Sequence, residues 1–178
     1  RMQVSLIILA AGQGTRMNSD LPKVLHKVAG APLLVHAMRA GASLDPARTV
    51  IVAGHGAEAV TAAAKDHDPD VQVALQAEQL GTGHAVAQAL PMLADATGKV
   101  IVLYGDTPFL TPETLEKLAA SGTDVTVLGF HNHQHPPRYG RLMMDGDVLV
   151  KIVEYKDATP DQRAITLMNS GVIACEIG

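Results

Sequence analysis

The first residues able to do chemistry form a glycine-rich turn directly after a short apolar run. The turn reads Leu9-Ala10-Ala11-Gly12-Gln13-Gly14-Thr15-Arg16-Met17, and its small residues allow a ligand close to the backbone. Successive backbone N–H groups in such a turn can point at one anion, so phosphate is the expected ligand. Arg16 and then Lys23 add positive charge suited to a phosphoryl group in transit. A solvated turn, in which glycine serves only the shape, is the alternative for this segment taken alone.

Two common phosphate-binding loops do not match this turn. A P-loop ends in Gly-Lys-Ser/Thr, and no such triplet follows here. A dinucleotide fingerprint needs a third glycine where Met17 stands and an acidic residue after the second strand, where Gly54-His55-Gly56 is found. The sequence therefore disfavours an NAD-dependent dehydrogenase.

A second glycine-rich turn and one carboxylate are further candidates. Gly81-Thr82-Gly83 opens a helix and follows Gln76, whose amide has the donor and acceptor needed to pair with a base edge such as that of uracil. Asp106 follows an apolar run and suits Mg²⁺, which prefers one or two carboxylates together with substrate phosphates. A simple helix cap and a turn-capping aspartate are the alternatives. The histidines at 26, 36, 55 and 84 lack the partners of a nucleophile or base.

Alternating strands and helices are predicted to position these groups. Short β-branched runs predict buried strands at Val4 to Leu9, Thr49 to Ala53, Val71 to Leu75, Lys99 to Tyr104 and Asp124 to Phe130. Amphipathic stretches predict helices at Leu33 to Ala42, Ala57 to Asp66, His84 to Ala94 and Pro112 to Ser121, with Pro91 interrupting the third.

The second part of the chain has a different pattern. Gly140 to Met144, the turn Asp145-Gly146-Asp147 and Val148 to Val153 predict an antiparallel hairpin, and Ser170 to Ala174 predicts a last strand. The whole predicts an α/β, Rossmann-like fold: a mostly parallel sheet with helices on both faces, plus this hairpin. Ligands of such sheets bind at the carboxyl ends of the strands.

Composition excludes several classes of protein. The formal net charge is −4 and aromatic residues make up 3% of the 178-residue chain, which argues against nucleic-acid binding. The apolar run Val4 to Ala11 is too short for a membrane span and lacks the processing site of a signal peptide. With one cysteine and no such segment, a soluble cytoplasmic protein is expected.

Motifs spread over nearly the whole chain point to one enzyme family. They are Leu9 to Met17, Leu21-Pro22-Lys23, Leu75 to Gly83, Tyr104-Gly105-Asp106, Tyr139-Gly140-Arg141, Glu154 and Met168 to Gly171. Together they resemble the N-terminal uridylyltransferase domain of the bacterial bifunctional N-acetylglucosamine-1-phosphate uridyltransferases and glucosamine-1-phosphate N-acetyltransferases, the GlmU family. A Rossmann-like nucleotidyltransferase fold is implied.

The resemblance also implies roles for single residues. Nucleotide contacts are implied for Leu9, Ala10, Ala11, Gly12, Gln76, Gly81, Thr82, Tyr104 and Gly105. Arg16 and Lys23 would bind phosphates and Asp106 would bind Mg²⁺, and these three would be the catalytic residues. Gly140, Glu154 and Asn169 would contact the N-acetylglucosamine group.

The implied reaction converts UTP and N-acetylglucosamine 1-phosphate into UDP-N-acetylglucosamine and pyrophosphate, for cell-wall precursors. Residues 1–178 would form one nucleotide-sugar pyrophosphorylase domain. The family's second metal-binding asparagine and its trimeric acetyltransferase β-helix are not found, so a C-terminally truncated domain is expected, and the resemblance implies that its full-length parent would be a homotrimer. A domain that binds UDP-sugar without turnover and a related sugar-1-phosphate nucleotidyltransferase are the alternatives.

Overall fold

The computed structural model describes residues 2–12, 20–107 and 110–177, and the chain divides into two compact units. The first unit comprises Arg1–Val125 and Ala174–Gly178, and the second comprises Thr126–Ile173. Arg16, expected to bind phosphate, lies outside the described residues.

The first unit is built on a parallel sheet of its longer strands, and two short strands form a separate pair. Its strands are β1 (Val4–Ala10), the short β2 (Lys27–Val28) and β3 (Ala31–Pro32), β4 (Arg48–Ala53), β5 (Gln72–Leu75) and β6 (Gly98–Tyr104). The four longer strands lie in the order β5-β4-β1-β6, with Ser5 opposite Arg48 on one side of β1 and Val4 opposite Lys99 on the other. Their carboxyl ends therefore lie at one edge of the sheet.

In the described residues of the first unit, four α-helices pack on this sheet. They are α1 (Leu33–Ala42), α2 (Ala57–His67), α3 (Thr82–Ala89) and α4 (Pro112–Ala120). Helix α1 contacts β1, α2 and α4, whereas α3 packs on β1, β4 and β5. All seven residues of β1 are buried, so both faces of the strand are covered. Gly41 of α1 lies directly on Leu6, because a Cβ at Gly41 would stand 2.5 Å from a Leu6 methyl carbon.

The second unit contains an antiparallel hairpin. Strands β8 (Arg141–Asp145) and β9 (Val148–Val153) pair around Gly146, which has a φ of +58°. Strand β10 (Leu167–Ile177) pairs with β8 and with β7 (Val125–His131), and its last residues belong to the first unit. A short helix, α5 (Pro160–Arg163), begins with a capping box at Thr159.

The predicted fold class is confirmed. The predicted interruption at Pro91 is also found, because α3 ends at Ala89 and a 3₁₀ helix covers Leu90–Leu93. Strand β10 is longer than the predicted Ser170 to Ala174, and the β2–β3 hairpin was not predicted. None of the described helices has the length and apolar character needed to cross a membrane.

Candidate functional site

The carboxyl end of β1 leads into backbone that faces open space. Leu9, Ala10 and Ala11 are buried, whereas Gly12 is exposed and a Cβ placed on it would meet no atom within 4 Å. The same holds for Gly81 and Gly83. These glycines therefore leave room for a ligand beside the backbone, as a phosphate-binding turn requires.

Lys23 and Asp106 meet near these strand ends. The Nζ atom of Lys23 lies 3.3 Å from Oδ2 of Asp106, and the two side chains are 44% and 34% exposed. Lys23 begins a 3₁₀ helix whose next residues, Val24 and Leu25, are buried and anchor it. One cation and one carboxylate, 83 positions apart in the chain, thus share a solvent-accessible location, where both can contact a charged ligand.

The end of β6 is held tightly against β1. The Gly105 amide donates to the carbonyl of Leu9 at 2.9 Å, and a Cβ at Gly105 would stand 3.2 Å from a methyl carbon of Val24. The Tyr104 phenol lies near the side chain of Thr82, at the start of α3. Burial is the main cause that raises the Tyr104 pKa; Thr82 partly offsets it and the charge of Asp106 adds to it, so the phenol is neutral at pH 7.

Gln76 is a buried amide just after β5. Its backbone N–H donates to the carbonyl of Ala53 at 2.7 Å, which extends the β4–β5 pairing. Its side-chain Nε2 donates to the carbonyl of Gly81 at 3.2 Å and lies 3.0 Å from Nδ1 of His84. The residue that was expected to read a base is therefore fixed in place by the turn that opens α3.

Gln79 has a structural role that the sequence pattern did not indicate. Its Nε2 donates to the carbonyl of Ala11 at 2.9 Å, although the two residues are 68 positions apart. Gly54 makes this contact possible, because a Cβ there would stand 2.8 Å from Nε2 of Gln79 and 3.0 Å from Cβ of Ala11. The glycine that replaces the acidic residue of a dinucleotide fold thus lets the two glycine-rich segments connect.

The second unit brings together its three predicted sugar-contact residues. The backbone N–H of Asn169 donates to the carbonyl of Gly140 at 2.8 Å, and a Cβ at Gly140 would stand 3.1 Å from Oε1 of Glu154. Oδ1 of Asn169 accepts from the amide of Gly171 at 2.9 Å, which leaves the Nδ2 hydrogens as donors. Glu154 and Asn169 thus both contact Gly140, and a carboxylate and an amide are groups that suit sugar hydroxyls.

Arg141 supports this cluster from inside the second unit. It is fully buried, and its guanidinium donates to the carbonyls of Pro136, Tyr139 and Arg163 at 2.8, 2.6 and 3.2 Å. It also lies 5.3 Å from the centre of the Tyr155 ring. Among the described residues its Nε atom is buried without a hydrogen-bond partner. Carbonyl dipoles and the ring face thus hold this buried charge.

Replacing Arg141 with methionine should lower the free energy of unfolding by about 3 kcal/mol, because three part-buried carbonyls lose their donor. Urea denaturation followed by circular dichroism measures the change. Arg138→Met is the matched control, since Arg138 is exposed and stacks on Tyr139 from outside. We expect the control to change stability by less than about 1 kcal/mol. Equal losses in the two variants would contradict the supporting role of Arg141.

The fold and these groups define a nucleotide-binding α/β domain, because the open backbone at Gly12, a lysine and a carboxylate lie at the carboxyl ends of parallel strands. Residues 6–166 match the family model described as "MobA-like NTP transferase domain". The chain belongs to this family.

Several known proteins are similar to this chain. It is 64% identical over 178 residues to "Bifunctional protein GlmU" of Cereibacter sphaeroides, covering 99% of this chain and 39% of that protein. It is 62% identical over 176 residues to the protein of the same name from Roseobacter denitrificans, covering 98% of this chain and 39% of that protein. The chain thus spans about two fifths of the length of these relatives, and the resemblance to the GlmU family is confirmed.

A solved structure supports the fold. The inositol-1-phosphate CTP transferase from T. maritima superposes with a TM-score of 0.79 at 20% identity, covering 99% of this chain and 71% of that one. At this identity the match concerns the fold alone.

Proposed function

We propose that this domain transfers the uridylyl group of UTP to N-acetylglucosamine 1-phosphate, which yields UDP-N-acetylglucosamine and pyrophosphate. The observation that carries the proposal is the ion pair of Lys23 and Asp106 at the strand ends, together with the open space beside Gly12 at the end of β1. The choice of substrates is supported by the name of the relatives, which are up to 64% identical.

The reaction needs charge neutralisation more than it needs a protein nucleophile. A phosphate oxygen of the sugar phosphate attacks the α-phosphorus of UTP, and the bond from that phosphorus to the oxygen bridging the β-phosphate breaks. Because the attacking oxygen is already ionised at neutral pH, no residue has to remove its proton. The protein's work is to align two phosphates and to neutralise their charge. Lys23 is proposed for this, since its ammonium is accessible beside Asp106, and Arg16 is proposed as a second cation.

Residues of the first unit are proposed to hold the nucleotide. The backbone of Leu9 to Gly12 would contact the nucleotide. Gln76 and the Gly81-Thr82 turn would contact uracil, and Tyr104-Gly105 would line the site. The open space beside Gly12, Gly81 and Gly83 supports these roles. In the second unit, Gly140, Glu154 and Asn169 are proposed to contact the N-acetylglucosamine group.

Mg²⁺ is proposed as the cofactor, with Asp106 as its protein ligand. The described residues contain no group of three or more His, Cys, Asp or Glu side chains able to hold a metal ion. A single accessible carboxylate nevertheless fits Mg²⁺, which usually keeps several waters and binds through one or two carboxylates plus substrate phosphates. When bound, the ion would neutralise charge on the phosphate oxygens.

A substrate panel tests the proposal. Pyrophosphate release by the chain is measured with UTP, CTP, dTTP and GTP, each combined with N-acetylglucosamine 1-phosphate or glucose 1-phosphate, with Mg²⁺ present. We expect UTP with N-acetylglucosamine 1-phosphate to give the highest kcat/KM, by at least about tenfold, or 1.4 kcal/mol. A different preferred pair would indicate a related sugar-1-phosphate nucleotidyltransferase. Calorimetric binding of UDP-N-acetylglucosamine without pyrophosphate release would indicate a binding domain.

A further inference from the structure

We propose that His84 is a positioning residue that makes Gln76 selective for a base carrying an N–H donor. This inference rests on the proposed function, because it concerns how the same nucleotide site distinguishes uracil from cytosine. It starts from a contact between two side chains: Nε2 of Gln76 lies 3.0 Å from Nδ1 of His84.

The carbonyl of Gly81 fixes the orientation of the Gln76 amide. A carbonyl oxygen can only accept a hydrogen bond, so the atom 3.2 Å from it must be the amide nitrogen and not the amide oxygen. One of the two Nε2 hydrogens is thereby used on Gly81. The other points at Nδ1 of His84, which must then act as an acceptor.

The other ring nitrogen of His84, Nε2, does not need to be the hydrogen-bond acceptor. Nε2 of Gln88 lies 3.3 Å from Nε2 of His84 and also donates to the His84 carbonyl at 3.0 Å. A neutral imidazole has one acceptor nitrogen, so it cannot accept from both glutamines. Gln88 has the carbonyl as another acceptor, whereas among the described residues Gln76 has only Nδ1 for its second hydrogen. His84 is therefore assigned the tautomer that carries its hydrogen on Nε2.

This arrangement leaves the carbonyl oxygen of Gln76 for the ligand. Within the described residues Oε1 of Gln76 has no hydrogen-bond partner. The side-chain atoms of this part of the chain that lack both a partner and contact with solvent are Ser5 Oγ and Arg141 Nε, and Oε1 of Gln76 is not among them. Oε1 must therefore reach accessible space although Gln76 is buried. An oxygen fixed in this way accepts from N3–H of uracil or thymine. The N3 atom of cytosine is an acceptor, so the two lone pairs would repel each other.

His84 matters because Gln76 alone has no such preference. If Gln76 is free to rotate, it can present either an oxygen or an NH₂ group, and both kinds of base edge can be bound. With both hydrogens occupied, rotation would leave Gly81 and His84 facing an oxygen. His84 thus converts an ambiguous amide into an acceptor.

Paired variants of His84 test this proposal through nucleotide binding by the 178-residue chain. His84→Leu removes the acceptor, whereas His84→Asn restores an oxygen at the position of Nδ1, the same number of bonds from Cα. We expect the ratio of the CTP to the UTP dissociation constant to fall about tenfold or more in His84→Leu, and to recover in His84→Asn. Both nucleotides are measured by calorimetry with Mg²⁺, and circular dichroism verifies folding of each variant.

The ratio separates positioning from general damage, because damage to the site weakens UTP and CTP together. An unchanged ratio in His84→Leu, or a ratio in His84→Asn as low as in His84→Leu, would overturn the role of His84. If His84→Leu does not fold, His84→Asn is compared with His84→Gln, which moves the acceptor to the position of Nε2. Only His84→Asn should then keep the ratio of the two dissociation constants. No UTP preference in the unmodified chain would overturn the inference, while failure of the substrate panel would overturn the reaction instead.

Discussion

Turnover of UTP and N-acetylglucosamine 1-phosphate should fall by about 10²–10³-fold when Lys23 is replaced with alanine, which is the usual effect of removing one group that stabilises transition-state charge. The lysine is 44% exposed and its Nζ lies 3.3 Å from Asp106, so it is accessible to a phosphate. Its removal should affect folding little, since an ion pair of this exposure contributes only about 0–1 kcal/mol. Initial rates of pyrophosphate release measure the change.

Lys27→Ala is the matched control for Lys23. Lys27 is also exposed, lies four positions later and stands in the short strand β2. Its loss removes the same charge from the same region, so a purely long-range electrostatic effect would lower turnover in both variants. Equal rates for Lys23→Ala and the unmodified chain would contradict the proposed role. Lys23→Arg should restore little activity, because a planar guanidinium does not replace a compact ammonium.

Periodicity predicted most of the secondary structure, because burial of one face dictates where apolar residues recur. Helix α1 was predicted with both of its observed ends, and β6 within one residue. The β2–β3 hairpin has only two residues in each strand, too few to show a period. Strand β10 begins at Leu167, earlier than the predicted Ser170, and this start was missed because the polar, half-buried Asn169 interrupts the apolar run.

Parts of the candidate site were also predictable, for a physical reason. Asp106 was expected at the strand ends because parallel strands place their carboxyl ends at one edge, and the structure brings it to Lys23. The contacts of Gln79 with Ala11 and of His84 with Gln76 were not predicted. They depend on where α3 starts and how each side chain turns, and no spacing along the chain encodes this. The sequence places no nucleophile beside His84, and the side chain that His84 contacts in the structure is the Gln76 amide.

Asp106→Asn should lower turnover by about 10³-fold and raise the Mg²⁺ concentration that gives half-maximal rate. The substitution keeps the size of the side chain and removes its charge, and an amide oxygen is a weaker ligand for a hard cation. Chelation of Mg²⁺ should abolish turnover of the unmodified chain as well. Initial rates at increasing Mg²⁺ concentration measure both effects, with unfolding in urea as the test of folding.

Asp95→Asn is the control for charge and ion-pair loss. Asp95 pairs with Arg48 through Nη2 at 2.8 Å, and this guanidinium holds the pKa of Asp95 below its usual value. The carboxylate is 77% exposed and pairs with Arg48 at the amino end of β4, whereas Asp106 follows the carboxyl end of β6. Since Asp95 is ionised across the neutral range, its substitution also removes one full charge. Turnover and Mg²⁺ dependence should both be unchanged in Asp95→Asn. If Asp106→Asn behaves like this control, Asp106 is not the metal ligand, and any catalytic role of Lys23 does not depend on a metal-binding carboxylate beside it.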